Sequence, residues 1–162
     1  RIMDKSSYGR KDRLVKEKEH DVYHSRTKLS DSTLCSGCGA VFRKGRWVWG
    51  APPQDAKETS CPACRRTAEG FAAGVIELQG VFFGEHHDEI LNLVKNVEDK
   101  EKASHPLERI MSIDERSDRT VVSTTGIHVA RGIGSALSSA YAGELSMRYL
   151  DGETGIQIRW VR

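Results

Sequence analysis

Hydrophobic and polar residues change rhythm along the chain. Over residues 1–34 the aliphatics Leu14, Val15, Val22 and Leu29 are too scattered to give a helix a core-facing stripe, and charged side chains dominate. That pattern predicts an extended arm, with at most a short helix over 11–23. Between 41 and 49 the character changes. Val41-Phe42-Arg43-Lys44 and Arg46-Trp47-Val48-Trp49 read as two strands joined by a turn at Gly45, and Pro52 and Pro53 end the hairpin.

From Thr67 onward the pattern is that of an ordinary globular domain. Residues 71–83 (FAAGVIELQGVFF) are rich in β-branched and aromatic side chains and predict a strand, with Gly80 marking a bulge or a close backbone approach. Residues 85–102 place Ile90, Leu91, Val94 and Val97 at helical spacing, with acids early and lysines late, and Pro106 closes that helix. Residues 109–114 and 120–123 predict two antiparallel strands joined by a polar turn. A second helix is expected over 126–142, with Ala130, Ile133, Leu137 and Tyr141 on one face and Gly143 as its stop. Residues 144–150 and 156–162 then form a terminal hairpin around Asp151-Gly152-Glu153-Thr154-Gly155. The order is β-α-β-β-α-β with one further strand, which predicts an α+β, ferredoxin-like layer of helices on one face of an antiparallel sheet.

The only four cysteines divide this picture. Cys35-Ser36-Gly37-Cys38 and Cys61-Pro62-Ala63-Cys64 are separated by twenty-two residues. Two such knuckles carry the ligand spacing of a structural zinc ribbon, because each turns tightly enough to aim two thiolates at one tetrahedral ion. Two disulfides would require an oxidising compartment that nothing in the sequence announces. A thioredoxin-like redox motif would require only one knuckle, opening a helix after a strand. The expected organisation is a basic, largely extended arm over 1–33, a zinc ribbon over 34–67 and an α+β domain over 68–162. A ribbon of this size cannot bury enough apolar surface to fold alone, so metal would supply its folding free energy.

Charge separates the same regions. Net charge is only +2, but residues 1–69 carry fifteen Lys/Arg against nine Asp/Glu, whereas residues 70–162 carry ten against fourteen. A cationic half and an acidic half suggest that one meets a polyanion while the other does something else. In the arm, Arg10, Lys11, Arg13, Lys16, Arg26 and Lys28 can neutralise phosphates, and Tyr8, His20, Tyr23 and His24 can stack on unpaired bases. In the ribbon, Arg43, Lys44, Arg46, Trp47, Trp49, Arg65 and Arg66 extend that surface, although at least one tryptophan is expected in the small core. There is no run of eighteen apolar residues and no signal-peptide pattern, which predicts a soluble protein of a reducing cytoplasm. The chain opens on Arg1, so its numbering does not fix the protein's start.

Two further stretches invite chemistry. Glu85-His86-His87-Asp88-Glu89 holds five acid/base or ligand groups. Neighbours on a helix point in different directions, so capping and dipole complementation explain the run better than catalysis. The segment Gly126-Ile127-His128-Val129-Ala130-Arg131-Gly132-Ile133-Gly134 lacks a dinucleotide or phosphate-loop signature. Its Gly132 and Gly134 are expected to let the helix lie close on the sheet, and Thr124, Thr125 and Arg131 form a lesser candidate for an anion at the helix start. No nucleophile with a base and an orienting acid can be picked out, and the expectation is a non-enzyme without a small-molecule substrate.

A Cys-x-x-Cys-Gly ribbon, a Gly-Val-Ile-Glu-Leu-Gln-Gly strand and a β-α-β-β-α-β module with Thr-Thr-Gly before its second helix together resemble the ribosomal large-subunit export adaptor family of archaea and eukaryotes. The resemblance covers residues 34–162. It implies zinc ligation by Cys35, Cys38, Cys61 and Cys64, a ferredoxin- or KH-like scaffold using 74–80 and 124–142, and docking on the large subunit. The family has more cysteines and extra domains, so nuclear export is not implied, and a small bacterial ribosome-associated relative is the economical expectation. The sequence thus predicts a ribosome- and rRNA-binding factor, with ribosomal proteins as further contacts, acting in hibernation under stress, translation regulation or subunit maturation. The alternative is a zinc-ribbon regulator that binds DNA or protein, and an enzyme using residues 85–89 ranks third.

Overall fold

The structure is a computed structural model and describes residues 29–150, 152 and 154–162. The expected arm lies outside the described residues, with its Tyr8, Arg10, Lys11, Arg13, Lys16, His20, Tyr23, His24, Arg26 and Lys28.

The described residues form an α+β fold with two mixed sheets and four helices. A small sheet comprises β1 (Thr33–Cys35), β2 (Val41–Arg43), β3 (Arg46–Val48) and β4 (Lys57–Thr59), in the order β3-β2-β1-β4. The β2–β3 hairpin follows the pattern expected from sequence. Its two-residue turn has Lys44 at φ 50° and Gly45 at φ 83°, and positive φ at both central residues matches the right-handed twist of the flanking strands. Strand β4 returns to lie parallel to β1. Helix α1 (Pro62–Glu69) follows, an element the hydrophobic pattern does not predict although both its ends are marked. Pro62 at the first helical position needs no amide partner, and Gly70 closes the helix in the left-handed region, its N–H donating to Arg66 O. Cys35, Ala40, Trp47, Cys61 and Ala63 form a core of their own, against which Phe42 and Leu107 pack.

The large sheet has five strands, β5 (Gly74–Gln79), β6 (Ile110–Glu115), β7 (Thr120–Thr124), β8 (Glu144–Tyr149) and β9 (Ile156–Val161). Its helices are α2 (Val81–Glu85), α3 (His87–Ser104) and α4 (Ile127–Tyr141). Alternate residues Ile76 and Leu78 of β5, Val122 of β7 and Ile156, Ile158 and Trp160 of β9 face one way, as the two-residue strand period requires. They meet Ile90, Leu91 and Val94 from α3 and Val129, Ala130, Ile133 and Leu137 from α4, which are the helix faces expected from periodicity.

Three details depart from the sequence expectations. The strand expected over 71–83 stops at Gln79. Gly80 has φ 114° and lies so close to the Arg162 backbone that a Cβ there would come within 2.2 Å of Arg162 O; the following Val-Phe-Phe turns into α2, where Phe83 is buried. Gly80 is therefore a close backbone approach, one of its two expected roles. Next, Gly134 lies on the sheet against Met147 and Ile158, whereas Gly132 faces Val97 of α3. Finally, the sheet is mixed rather than wholly antiparallel. Its strand order is β6-β7-β5-β9-β8, with β9 parallel to β5 over the register Gly74↔Ile156 to Gln79↔Val161. The terminal hairpin turns inward because β9 carries the fully apolar set Ile156, Ile158 and Trp160, while β8 offers only half-buried Leu145 and Met147 beside exposed polar residues and is suited to an edge. Among the described residues no helix is long and apolar enough to cross a membrane.

Candidate metal centre

Cys35 ends β1, Cys38 closes the turn after it, and Cys61 and Cys64 sit at the start of α1. Their four sulfurs lie within 4.8 Å of one another, with Cys35 and Cys64 at 3.7 Å and Cys38 and Cys61 at 3.8 Å. A tetrahedral ion with metal–sulfur bonds of about 2.3 Å sets its ligands roughly 3.8 Å apart, so the donor set and its spacing fit. All four cysteines are free. The second knuckle does open a helix after a strand, the position a redox motif would use, but the convergence of both knuckles on one point is what a metal requires and a dithiol does not.

Local backbone prepares the sulfurs. Cys61 N–H donates to Cys35 Sγ at 3.2 Å and Cys64 N–H to Cys61 Sγ at 3.4 Å. Gly37 packs against the cluster, where a Cβ would come 3.0 Å from Cys64 Sγ, so a larger residue would press on a ligand. Burial pushes the Cys35 thiol up, but the amides of Cys61, Cys38 and Gly37 outweigh it and draw it down to about 6. At Cys61 burial wins; the Cys64 amide opposes it only in part, and the neighbouring sulfurs push the same way. Four thiolates at these separations repel, and a divalent cation at their centre converts that repulsion into attraction. The four cysteines are thus positioned to hold a metal ion.

One cation already faces them, and nothing in the sequence pattern points to it. Arg109, just before β6, donates through Nη2 to Cys38 Sγ at 3.2 Å and Cys61 Sγ at 3.3 Å, and through Nη1 to Cys64 Sγ at 3.7 Å. Burial would lower its pKa, but these sulfurs outweigh that and hold the guanidinium charged. No family model matches this chain, and no curated protein matches its sequence.

The other candidate residues separate clearly. Arg43, Lys44 and Arg46 are exposed around the hairpin turn, Arg43 reaching Ala51 O at 2.9 Å. Trp47 is only 8% exposed and packs edge-on against Phe42 at 5.4 Å between centroids, so it belongs to the small core and offers no face for stacking. Trp49 is 37% exposed, with its indole N–H donating to Lys102 O at 2.7 Å. Arg65 is half-buried, and Arg66 is buried with its guanidinium on Phe71 O at 3.2 Å, which removes Arg66 from the expected phosphate surface. A cleft of about 830 Å³ runs between the two sheets, past Arg46, Arg65, Leu107, Glu108 and His128.

The residues of the Glu85-to-Glu89 run diverge. His86 stacks on Phe82, His87 bonds Asp88, and Glu89 accepts from Tyr141. Among the described residues the cysteines alone form a group of three or more metal-capable side chains. At the start of α4 the anion is supplied by the chain itself. Glu108 Oε1 accepts the Val129 N–H at 2.8 Å, while the Thr124 and Thr125 hydroxyls donate to Gly126 O and Leu107 O. Burial raises the Glu108 carboxyl, against the Val129 amide and His128. A carboxyl raised on folding binds more protons in the native state, so stability falls as pH climbs from the ordinary carboxylate value of 4.5 through the raised one. The difference in urea midpoint between Glu108→Gln and the wild type is accordingly expected to shift in favour of the variant across that rise. A difference that stays constant with pH would show that Glu108 titrates normally.

Proposed function

We propose that this chain is a non-enzymatic, ribosome-associated RNA-binding protein whose four cysteines hold a structural zinc ion. The observation that carries the reading is the closed sulfur cluster at the base of a hairpin, level with Ala40, whose far end is the exposed turn Arg43-Lys44-Gly45-Arg46. Zinc is the ion suited to four thiolates in a tetrahedron, and four protein ligands leave no open position for a substrate or an activated water. The metal's task is then architectural: it holds a rigid hairpin whose tip presents three cations to a phosphate backbone. The resemblance to the large-subunit export adaptors supports the ribosome, and its large subunit first, as the bearer of that RNA. Hibernation or subunit maturation in the cytoplasm is the corresponding role.

One observation favours a second reading. With Trp47 buried and the Trp49 indole tied to Lys102, the ribbon has less aromatic surface for unpaired bases. The outward residues of the central strands, Val75, Glu77, Gln79, Val121, Ser123, Gln157, Arg159 and Val161, include no ring either. A regulator gripping duplex DNA or a protein would not require such rings.

Sucrose-gradient sedimentation at two salt concentrations tests the choice. Co-migration with ribosomal particles at low salt and release at high salt is expected; absence from the particles in every growth phase would sink the ribosome reading. Neutralising Arg43, Lys44 and Arg46 together is expected to flatten the slope of log affinity against log salt by roughly 2–3, at about 0.7–0.9 per phosphate contact. An unchanged slope would place the phosphate contacts elsewhere. Tighter binding to duplex DNA than to rRNA fragments would favour the second reading.

A further inference from the structure

We infer that Arg109 is an outer ligand of the metal centre, so that the centre is completed from the large sheet and metal binding is coupled to the docking of the two sheets on each other. The inference rests on the metal reading and is independent of RNA. Three of the four cysteine sulfurs accept from this one guanidinium, at 3.2, 3.3 and 3.7 Å. The remaining Nε–H donates to Pro106 O at 2.6 Å. Every hydrogen bond the side chain makes among the described residues therefore goes to a ligand sulfur or to the turn that aims it. The neighbouring carboxylate of Glu108 is turned away, onto Val129 N–H.

The mount for this side chain is rigid and belongs to the large sheet. Arg109 N–H donates to Thr125 Oγ1 at 2.9 Å, and Thr125 N–H returns a bond to Arg109 O at 2.8 Å. Ile110 N–H is held by the Glu98 carboxylate at 2.7 Å. Charge supplies the reason for the contact. Four thiolates around a divalent ion carry a net charge of −2, and the half-buried guanidinium halves it while giving the sulfurs strong, charge-assisted donors. The planar fork matters as much as the charge, because a lysine ammonium on the same stem could not span sulfurs from both knuckles and keep the Pro106 bond. Leu107 packs on the small core beside it, and Trp49 reaches across to Lys102 O from the other direction. By linkage, whatever ties the two sheets raises metal affinity, and metal in turn ties the sheets.

Co²⁺ is the probe, titrated into metal-free full-length protein against a competing chelator and read by its absorption in tetrahedral thiolate coordination. Arg109→Gln is expected to keep that spectrum and weaken Co²⁺ binding by about 10–100-fold, the usual cost of losing a partner of the ligands, with Arg109→Lys in between. In the wild type, removing the metal is expected to speed amide hydrogen exchange at Arg109 and Ile110, which lie outside the ribbon. Wild-type affinity in Arg109→Gln overturns the inference while leaving the metal reading intact. Failure of the wild type to bind Co²⁺ overturns both. If Arg109→Gln does not fold, the lysine variant and the wild-type exchange decide: undiminished affinity in Arg109→Lys, or exchange at 109–110 that ignores the metal, overturns the inference.

Discussion

Cys61→Ser is expected to unfold residues 33–69 while the large sheet keeps its structure. Cys61 is fully buried and has three roles at once: its sulfur lies 3.8 Å from that of Cys38, caps helix α1 by accepting from Cys64 N–H, and accepts from Arg109. The small sheet has little else to rely on. Its strands are three residues each, and its core consists of one tryptophan with alanines and the cysteines themselves. Conformational entropy of order 1–2 kcal/mol per residue overwhelms burial on that scale, whereas structural zinc in comparable sites supplies about 10–16 kcal/mol at neutral pH. Native mass spectrometry should show the bound ion lost, and amide correlation spectra should show the signals of 33–69 collapse while those of 74–161 stay dispersed. Retention of both sets of signals in the serine variant, or in the chelated wild type, would mean that the small sheet is stable without metal.

The second large effect is expected at Trp160. It has no exposed surface, sits in strand β9 between Leu78 and Leu145 in register, and donates its indole N–H to Ala142 O at 2.7 Å. Truncation to alanine removes the largest buried side chain of the main core and orphans the carbonyl that ends α4. The expected cost is about 3–5 kcal/mol, a large part of the roughly 5–15 kcal/mol that holds a domain of this size. Trp160→Phe keeps most of the packing but not the donor, and should cost about 1–3 kcal/mol. Urea unfolding followed by circular dichroism reads both, and an alanine variant within about 1 kcal/mol of wild type would contradict the close packing described.

Much of this is legible in the chain. The cysteine spacing reports the cluster because a knuckle is a local geometry, and helices α3 and α4 announce themselves through faces that really are buried. Three features escape for physical reasons. Val81-Phe82-Phe83 has strand composition, but the backbone of Arg162 forces Gly80 into a positive φ that ends β5 first. Helix α1 lacks an apolar stripe and is specified by its ends, Cys61 with Pro62 and then Gly70, which in sequence look like no more than a knuckle and a linker. Arg109 is separated from Cys64 by a whole strand and two helices and looks like the first residue of a strand; nothing in local sequence says that its side chain turns back. Trp47 and Trp49 show the limit of alternation as a guide, since period two puts both rings on one face while only Trp47 enters the core.

The position of β9 bears on the order in which the chain can acquire its shape. The ninth strand is interior to its sheet, so while the polypeptide is emerging from the ribosome β5 keeps a bare edge and β8 has no neighbour to pair with. The helices and the β6–β7–β5 ladder can collapse early, but the pairing that closes the sheet spans most of its sequence and is slow by topology. Until it arrives, β5 exposes unpaired amides and carbonyls to any other nascent strand, and a chaperone or a short delay there would guard against misassembly.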